Sequence, residues 1–222
     1  FQNLKIGAKI ISIVVLMGIF MGVVGFTGYY FSRKLSTDLD NVYKNYLLPV
    51  QWLNDARNQS RAGEAAMMEL LNSAVSKERA QKSLADADQH SKKFQDLIAT
   101  YENTQLQPFE KELLPKLKEE ISIYRTERQK AINLALAGKN AEGYQYFIQN
   151  GAVHLDKVNQ LLTELAEFNS KSAGEINKQG KQDSSVVIQM ILGITVIALL
   201  LSLFAGWAIS RMIARRLQTV VT

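Results

Sequence analysis

Ile10 to Ser32 reads IISIVVLMGIFMGVVGFTGYYFS, 23 residues without a charged side chain, and Ser184 to Ser210 reads SSVVIQMILGITVIALLLSLFAGWAIS, 27 more. At a helical rise of about 1.5 Å per residue these run about 34 and 40 Å, against a hydrocarbon core of about 30 Å. Both are predicted to cross a membrane as helices. Lys5 and Lys9 ahead of the first run would also suit a secretory signal. However, the run exceeds a signal's apolar core of about 7–15 residues, and no small-x-small cleavage pattern follows Phe31. The chain is therefore read as residues 1–9, a span at 10–32, a domain at 33–183, a span at 184–210 and a flank at 211–222.

Charge orients this arrangement. Lys5, Lys9, Arg211, Arg215 and Arg216 sit on the flanks with no acid beside them, so residues 33–183 hold the other 21 bases (26 − 5) and all 21 acids. Bases near span ends stay in the cytoplasm, and a segment of 151 residues is long enough to cross largely regardless of its own charge. Both ends are expected inside and the domain outside. The basic balance is then a topology signal, and no nucleic-acid partner is expected. The absence of cysteine is compatible with an oxidising compartment.

The middle segment reads as all-α. It has three prolines and six glycines in 151 residues and no alternating run, and its apolar residues recur at spacings of three and four. The first helix is predicted to continue out of the span with Leu39, Val42, Tyr46, Val50 and Leu53 on one stripe, bent at Pro49, which removes a backbone bond. A second starts at Ser76 with Leu84, Ala87, Ser91, Phe94, Ile98 and Tyr101 as its stripe, and Asn103 to Pro108 is a turn. A third carries Leu114, Leu117, Ile121 and Tyr124, with Pro115 placed in its first turns, and ends at Ala137-Gly138-Lys139-Asn140. A short helix from Ala141 to Gln149 precedes a fourth, with Leu155, Val158, Leu162 and Leu165, that runs into the second span. Four such stripes bury one another as an antiparallel four-helix bundle between two transmembrane helices.

Little in the chain suits catalysis, and no enzyme, metal or cofactor is expected. Thiol chemistry is excluded by the absence of cysteine. His90 and His154 stand alone without HExxH spacing and read as exposed helical residues, Gly138-Lys139 lacks the rest of a phosphate loop, and Glu119-Glu120 reads as solvated surface charge. Arginine is the more informative residue. Four residues beyond Tyr124 the third stripe lands on Arg128, and four beyond Leu53 the first lands on Arg57, with Arg61 a turn further. A buried guanidinium needs a partner, and its fork matches a carboxylate. Either these arginines pair with Asp86, Asp88 or Glu164 or reach water, or they hold an anionic ligand in the outer half of the domain, with Tyr124 offering a hydroxyl. The first span carries Gly18 and Gly22 at a spacing that lets a second helix approach closely.

Several stretches, in order, are similar to the bacterial methyl-accepting chemotaxis proteins with a four-helix-bundle sensor domain. Asn3-Leu4-Lys5-Ile6-Gly7-Ala8-Lys9 resembles their cytoplasmic lead-in, and Leu47-Leu48-Pro49-Val50-Gln51-Trp52-Leu53 their first helix. Leu136 to Asn140, with the short helix and Leu162 to Asn169, resembles the last third. Ala208 to Ile213 followed by Leu217 resembles the start of a HAMP relay helix, although Arg216 stands where the family usually has proline. The resemblance implies a homodimeric receptor in the bacterial inner membrane, its sensor domain periplasmic or extracellular. It would bind a small solute such as an organic acid or amino acid and signal for chemotaxis through the second span to a HAMP domain and cytoplasmic partners. Arginines on the first and third helices often hold carboxylates in such receptors, which makes Arg57, Arg61, Arg128 and Tyr124 ligand candidates by position.

The chain opens at Phe1 without methionine and stops at Thr222 about one turn into the HAMP-like helix, which reads as a fragment of a longer protein. The same sensor architecture also precedes histidine kinases and cyclic-dinucleotide enzymes. A further alternative is an adaptor whose bundle binds another protein.

Overall fold

The computed structural model describes residues 6–72 and 76–221. The lead-in Asn3 to Lys5 lies outside the described residues, as do the side chains of Lys9, Arg215 and Arg216. The described residues form helices α1 (Ile6–Val42), α2 (Leu48–Leu71), α3 (Lys77–Glu102), α4 (Pro108–Leu136), α5 (Asn140–Tyr146) and α6 (Ala152–Val221), with no strand among them. They fall into two compact units, Phe1–Leu39 with Ile176–Thr222, and Asp40–Glu175.

The first unit holds both apolar runs. The helices here are long and apolar enough to cross a membrane, and their most apolar windows are not buried by protein. Phe26, Leu203 and Phe204 are all exposed, as side chains facing lipid would be. The four glycines Gly18, Gly22, Gly25 and Gly28 face open space. Beyond the apolar runs, Lys34 donates to Asp183 at 2.7 Å.

The second unit is the all-α bundle. One buried cluster combines Leu53 and Ala56 of α2, Phe94, Ile98 and Tyr101 of α3, Leu117 and Ile121 of α4, and Val158, Leu162 and Leu165 of α6. A second gathers Met67, Leu70 and Leu71 with Ala87, Ala131, Ile132 and Phe147. Most stripe residues of the four predicted helices thus fall in these two clusters, while Leu39, at the outer end of the first stripe, is exposed.

Helix ends follow from local chemistry. Ser76 caps α3 by accepting from the Arg79 amide. Gln107 and Glu110 form a reciprocal capping box at the start of α4, with Pro108 in the first turn. At its other end Gly138, at φ +80°, lets the Gly138 amide reach the Ala135 carbonyl and the Lys139 amide the Leu134 carbonyl.

Four details differ from the sequence reading. The break ahead of Pro49 is a wider π-helical turn, Tyr43–Leu47, in which the Leu48 amide reaches back to the Tyr43 carbonyl. Because α4 begins at Pro108, Pro115 lies in the helix interior rather than its first turns. The short helix does not stop before the fourth, since α5 passes through a second π-turn, Phe147–Gly151, directly into α6. A Cβ at Gly143 of α5 would lie 2.9 Å from the Ala131 carbonyl oxygen, so only glycine allows this closeness to α4. Finally, the histidines are half-buried links between helices: His90 Nδ1 lies 2.8 Å from Gln59 Oε1, and His154 Nδ1 2.6 Å from Glu120 Oε2. Glu120, which also accepts from Lys157, is thus a bridge between α4 and α6 and not surface charge.

Candidate functional site

The polar interior of the bundle has three parts, each built by residues a turn apart on facing helices. Nearest the end where the chain enters and leaves the bundle is a cluster around Glu110, which is only 2% exposed. Its Oε1 accepts from the Tyr101 hydroxyl at 2.6 Å and from Asn169 Nδ2 at 2.7 Å, and its Oε2 accepts from the Gln107 amide at 2.7 Å. Burial, followed by the neighbouring Glu110, raises the Tyr101 pKa, so the phenol keeps its proton and donates. These bonds tie α3, α4 and α6 together. The turn expected at Asn103 to Pro108 is present between α3 and α4, and the signal that sequence reading lacks is Gln107-x-x-Glu110, a capping-box spacing at the start of α4.

The second part surrounds Arg57 on α2 and faces α6. Its Nη1 donates to Thr163 Oγ1 at 2.9 Å and its Nη2 to Asn54 Oδ1 at 2.9 Å. Both partners are neutral. Arg57 Nε and Asn159 Oδ1 are buried without partners. Arg61, one turn on, is exposed, and it acts on half-buried Glu64.

The third part is a small cavity of about 30 Å³ between α2, α3, α4 and α6, lined in part by Ser60, Ser91, Tyr124, Arg125 and Arg128. Arg128 donates through Nη2 to Asp88 Oδ1 at 2.7 Å, with the arginine side chain 10% exposed and the aspartate 67%. The pairing with Asp88 foreseen as one alternative is therefore formed. Burial pushes the Tyr124 pKa up to about 12, against the pull of Arg128. The guanidinium of Arg125 has its pKa lowered, first by burial and then by Arg128. Ser60 Oγ is buried and unpartnered.

The four candidate residues are thus brought together only in part. Arg128 and Tyr124 share the cavity, whereas Arg57 and Arg61 are not in its lining. Sequence spacing places a residue on a face of its own helix but not opposite a given residue of another. No group of three His, Asp or Glu side chains among the described residues is arranged to hold a metal.

An amphipathic bundle whose first and last helices carry membrane-length apolar runs narrows the family, and residues 3–184 match the one described as a four helix bundle sensory module for signal transduction. The chain belongs to that family. No match to an individual curated protein was found. The sensory module so defined is the sensor type of the chemotaxis proteins that the sequence resembles.

Proposed function

We propose that the sensory module is the outer part of a bacterial chemoreceptor that takes a small carboxylate, an organic acid or amino acid, at Arg57. The observation that carries this reading is that the half-buried Arg57 guanidinium is held only by neutral oxygens, with its Nε unpartnered. A guanidinium in this state lacks the carboxylate that its fork fits in a bidentate manner. Arg61 extends from the same helix one turn away and is exposed, available to the ligand or to a second copy whose α2 packs alongside. The open glycine face of the first apolar run suits the same two-fold pairing. Ligand bound against Thr163 and Asn159 would bias α6, the helix that carries the second apolar run toward the HAMP-like segment. Base-only flanks support a cytoplasmic location for both ends.

The test uses the whole chain in lipid nanodiscs, with thermal unfolding followed against a panel of organic acids, amino acids and aromatic solutes. At 100 times its dissociation constant a true ligand adds about 2.7 kcal/mol. Arg57→Ala removes a charge-assisted bond of about 1.5–3 kcal/mol, or about 10- to 150-fold in affinity. Unchanged affinity in a folded Arg57→Ala protein would sink the placement. If no solute binds and the bundle instead captures another protein, the adaptor reading takes its place.

A further inference from the structure

We propose that the cavity between α2, α3, α4 and α6 is a separate binding site for one small monovalent anion, of the size of formate, nitrate or bromide. Its volume, about 30 Å³, sets the size. The space is small and is not sealed, since Arg125 in its lining is exposed, and it suits one small ion better than a bulky solute.

The sign follows from the lining. Arg125 and Arg128 both contribute to it, and no aspartate or glutamate does among the described residues. Asp88 engages Arg128 through one Nη2 bond from an exposed position, which leaves the rest of the guanidinium fork for another acceptor. The Tyr124 hydroxyl stays protonated at neutral pH, since burial holds its pKa at about 12, and so can donate. His90 Nδ1 and Gln59 Oε1, also in the lining, lie 2.8 Å apart.

The independent observation is Ser60. It is more than nine-tenths buried, lines the cavity, and its Oγ has no hydrogen-bond partner. A buried hydroxyl without a partner costs about 1–3 kcal/mol, so its retention calls for an acceptor that arrives from outside the chain. Water would offer one, but a lining with two guanidiniums, three hydroxyls and no carboxylate of its own, Asp88 reaching Arg128 from outside it, favours an acceptor that carries negative charge. One such ion would take bonds from α2 through Ser60 and from α4 through Tyr124 and Arg128, and so draw the two helices together. The site lies within one copy of the chain and does not depend on the Arg57 face.

The experiment uses the whole chain in nanodiscs, titrated with potassium formate, nitrate or bromide and, at matched ionic strength, with potassium sulfate. The monovalent salts are expected to raise the unfolding temperature saturably, and sulfate only in the linear, non-saturating way of an excluded salt. Crystals grown in bromide should show an anomalous peak within hydrogen-bonding distance of Ser60 Oγ and the Tyr124 hydroxyl. Ser60→Ala and Tyr124→Phe, each checked for an unchanged helical spectrum, should each weaken the bromide effect at least tenfold, while Arg57→Ala leaves it intact. A saturable effect of sulfate that the cavity variants abolish, an undiminished bromide effect in both cavity variants, loss of that effect in Arg57→Ala, or a cavity holding only water in bromide crystals would each overturn the proposal. A carboxylate lost with Arg57→Ala while the anion effect persists would separate this site from the one proposed above.

Discussion

Two polar places in one bundle are finished to different degrees. Around Glu110, 2% exposed, both carboxyl oxygens are taken, by the Tyr101 hydroxyl, Asn169 and the Gln107 amide. Around Ser60 and Arg128, where α2 joins α3, α4 and α6, the bundle leaves a cavity, an unpartnered hydroxyl and a guanidinium bonded by one exposed aspartate. The first arrangement is what a buried polar group needs to hold helices in register. The second carries an uncompensated cost unless something enters. Each place keeps one unpartnered buried oxygen, Asn169 Oδ1 in the first and Ser60 Oγ in the second. What separates them is the charged group: a carboxylate bonded at both oxygens against a guanidinium with one bond beside a cavity.

The sharpest way to break this contrast is Glu110→Ala. It deletes the acceptor for three bonds and strands a buried phenol and a buried amide, so a loss of about 3 kcal/mol is expected. For a chain of this size that is a fall of roughly 10 °C in unfolding temperature, measured by circular dichroism in detergent. A fall of only a degree or two would mean that the Glu110 cluster is no lock, and the distinction drawn here would lose its structural pole.

How far the sequence led can be judged from the same residues. The helices and stripes are legible because Leu117, Ile121, Val158, Leu162 and Leu165 keep a helical period and all end in one core. Arg128 was legible for the same reason, as a charge on an apolar stripe. Its partner Asp88 was one of three acids within reach, because period fixes a face and not the rotation of the facing helix. Glu110 was not legible as core at all, since a carboxylate among Lys111, Glu112 and Glu119 looks like surface until Tyr101 and Asn169 are seen to surround it. The histidines are illegible for a similar reason: type suggests exposure, while Gln59 and Glu120 on neighbouring helices lie within hydrogen-bond distance of them and both rings are partly buried.

A smaller effect is expected from Asp88→Asn. The aspartate is mostly solvated and gives Arg128 a single bond, so solvent screens the pair and the loss should be about 1 kcal/mol or less. The asparagine retains a carbonyl acceptor at the same place. In the bromide titration this variant should bind the anion more tightly, because a competing negative charge has been removed from the guanidinium. A loss as large as that of Glu110→Ala would show that the Arg128 pair is structural and would move this region to the satisfied side of the contrast.

The smallest effect concerns Glu64, one turn beyond Ser60 and half-buried. Burial and then Asp156 raise its pKa above the ordinary carboxyl value, while Arg61 acts in the opposite sense. No ion pair or hydrogen bond of its carboxyl is found among the described residues. A carboxyl whose pKa is higher in the folded than in the unfolded chain favours folding while it is protonated, and that contribution is lost as the pH rises through the raised value. The permanently neutral Glu64→Gln protein should therefore be slightly more stable than its parent at pH 7, by about 0.5 kcal/mol or less given solvent screening. The two should converge near pH 4, where the parent's carboxyl is largely protonated. Denaturant unfolding at both pH values checks this. If the glutamine variant is instead the less stable at pH 7, Glu64 is held as a working partner of Arg61. The arginine would then already be neutralised within the chain and Arg57 would stand alone as the carboxylate contact on that face.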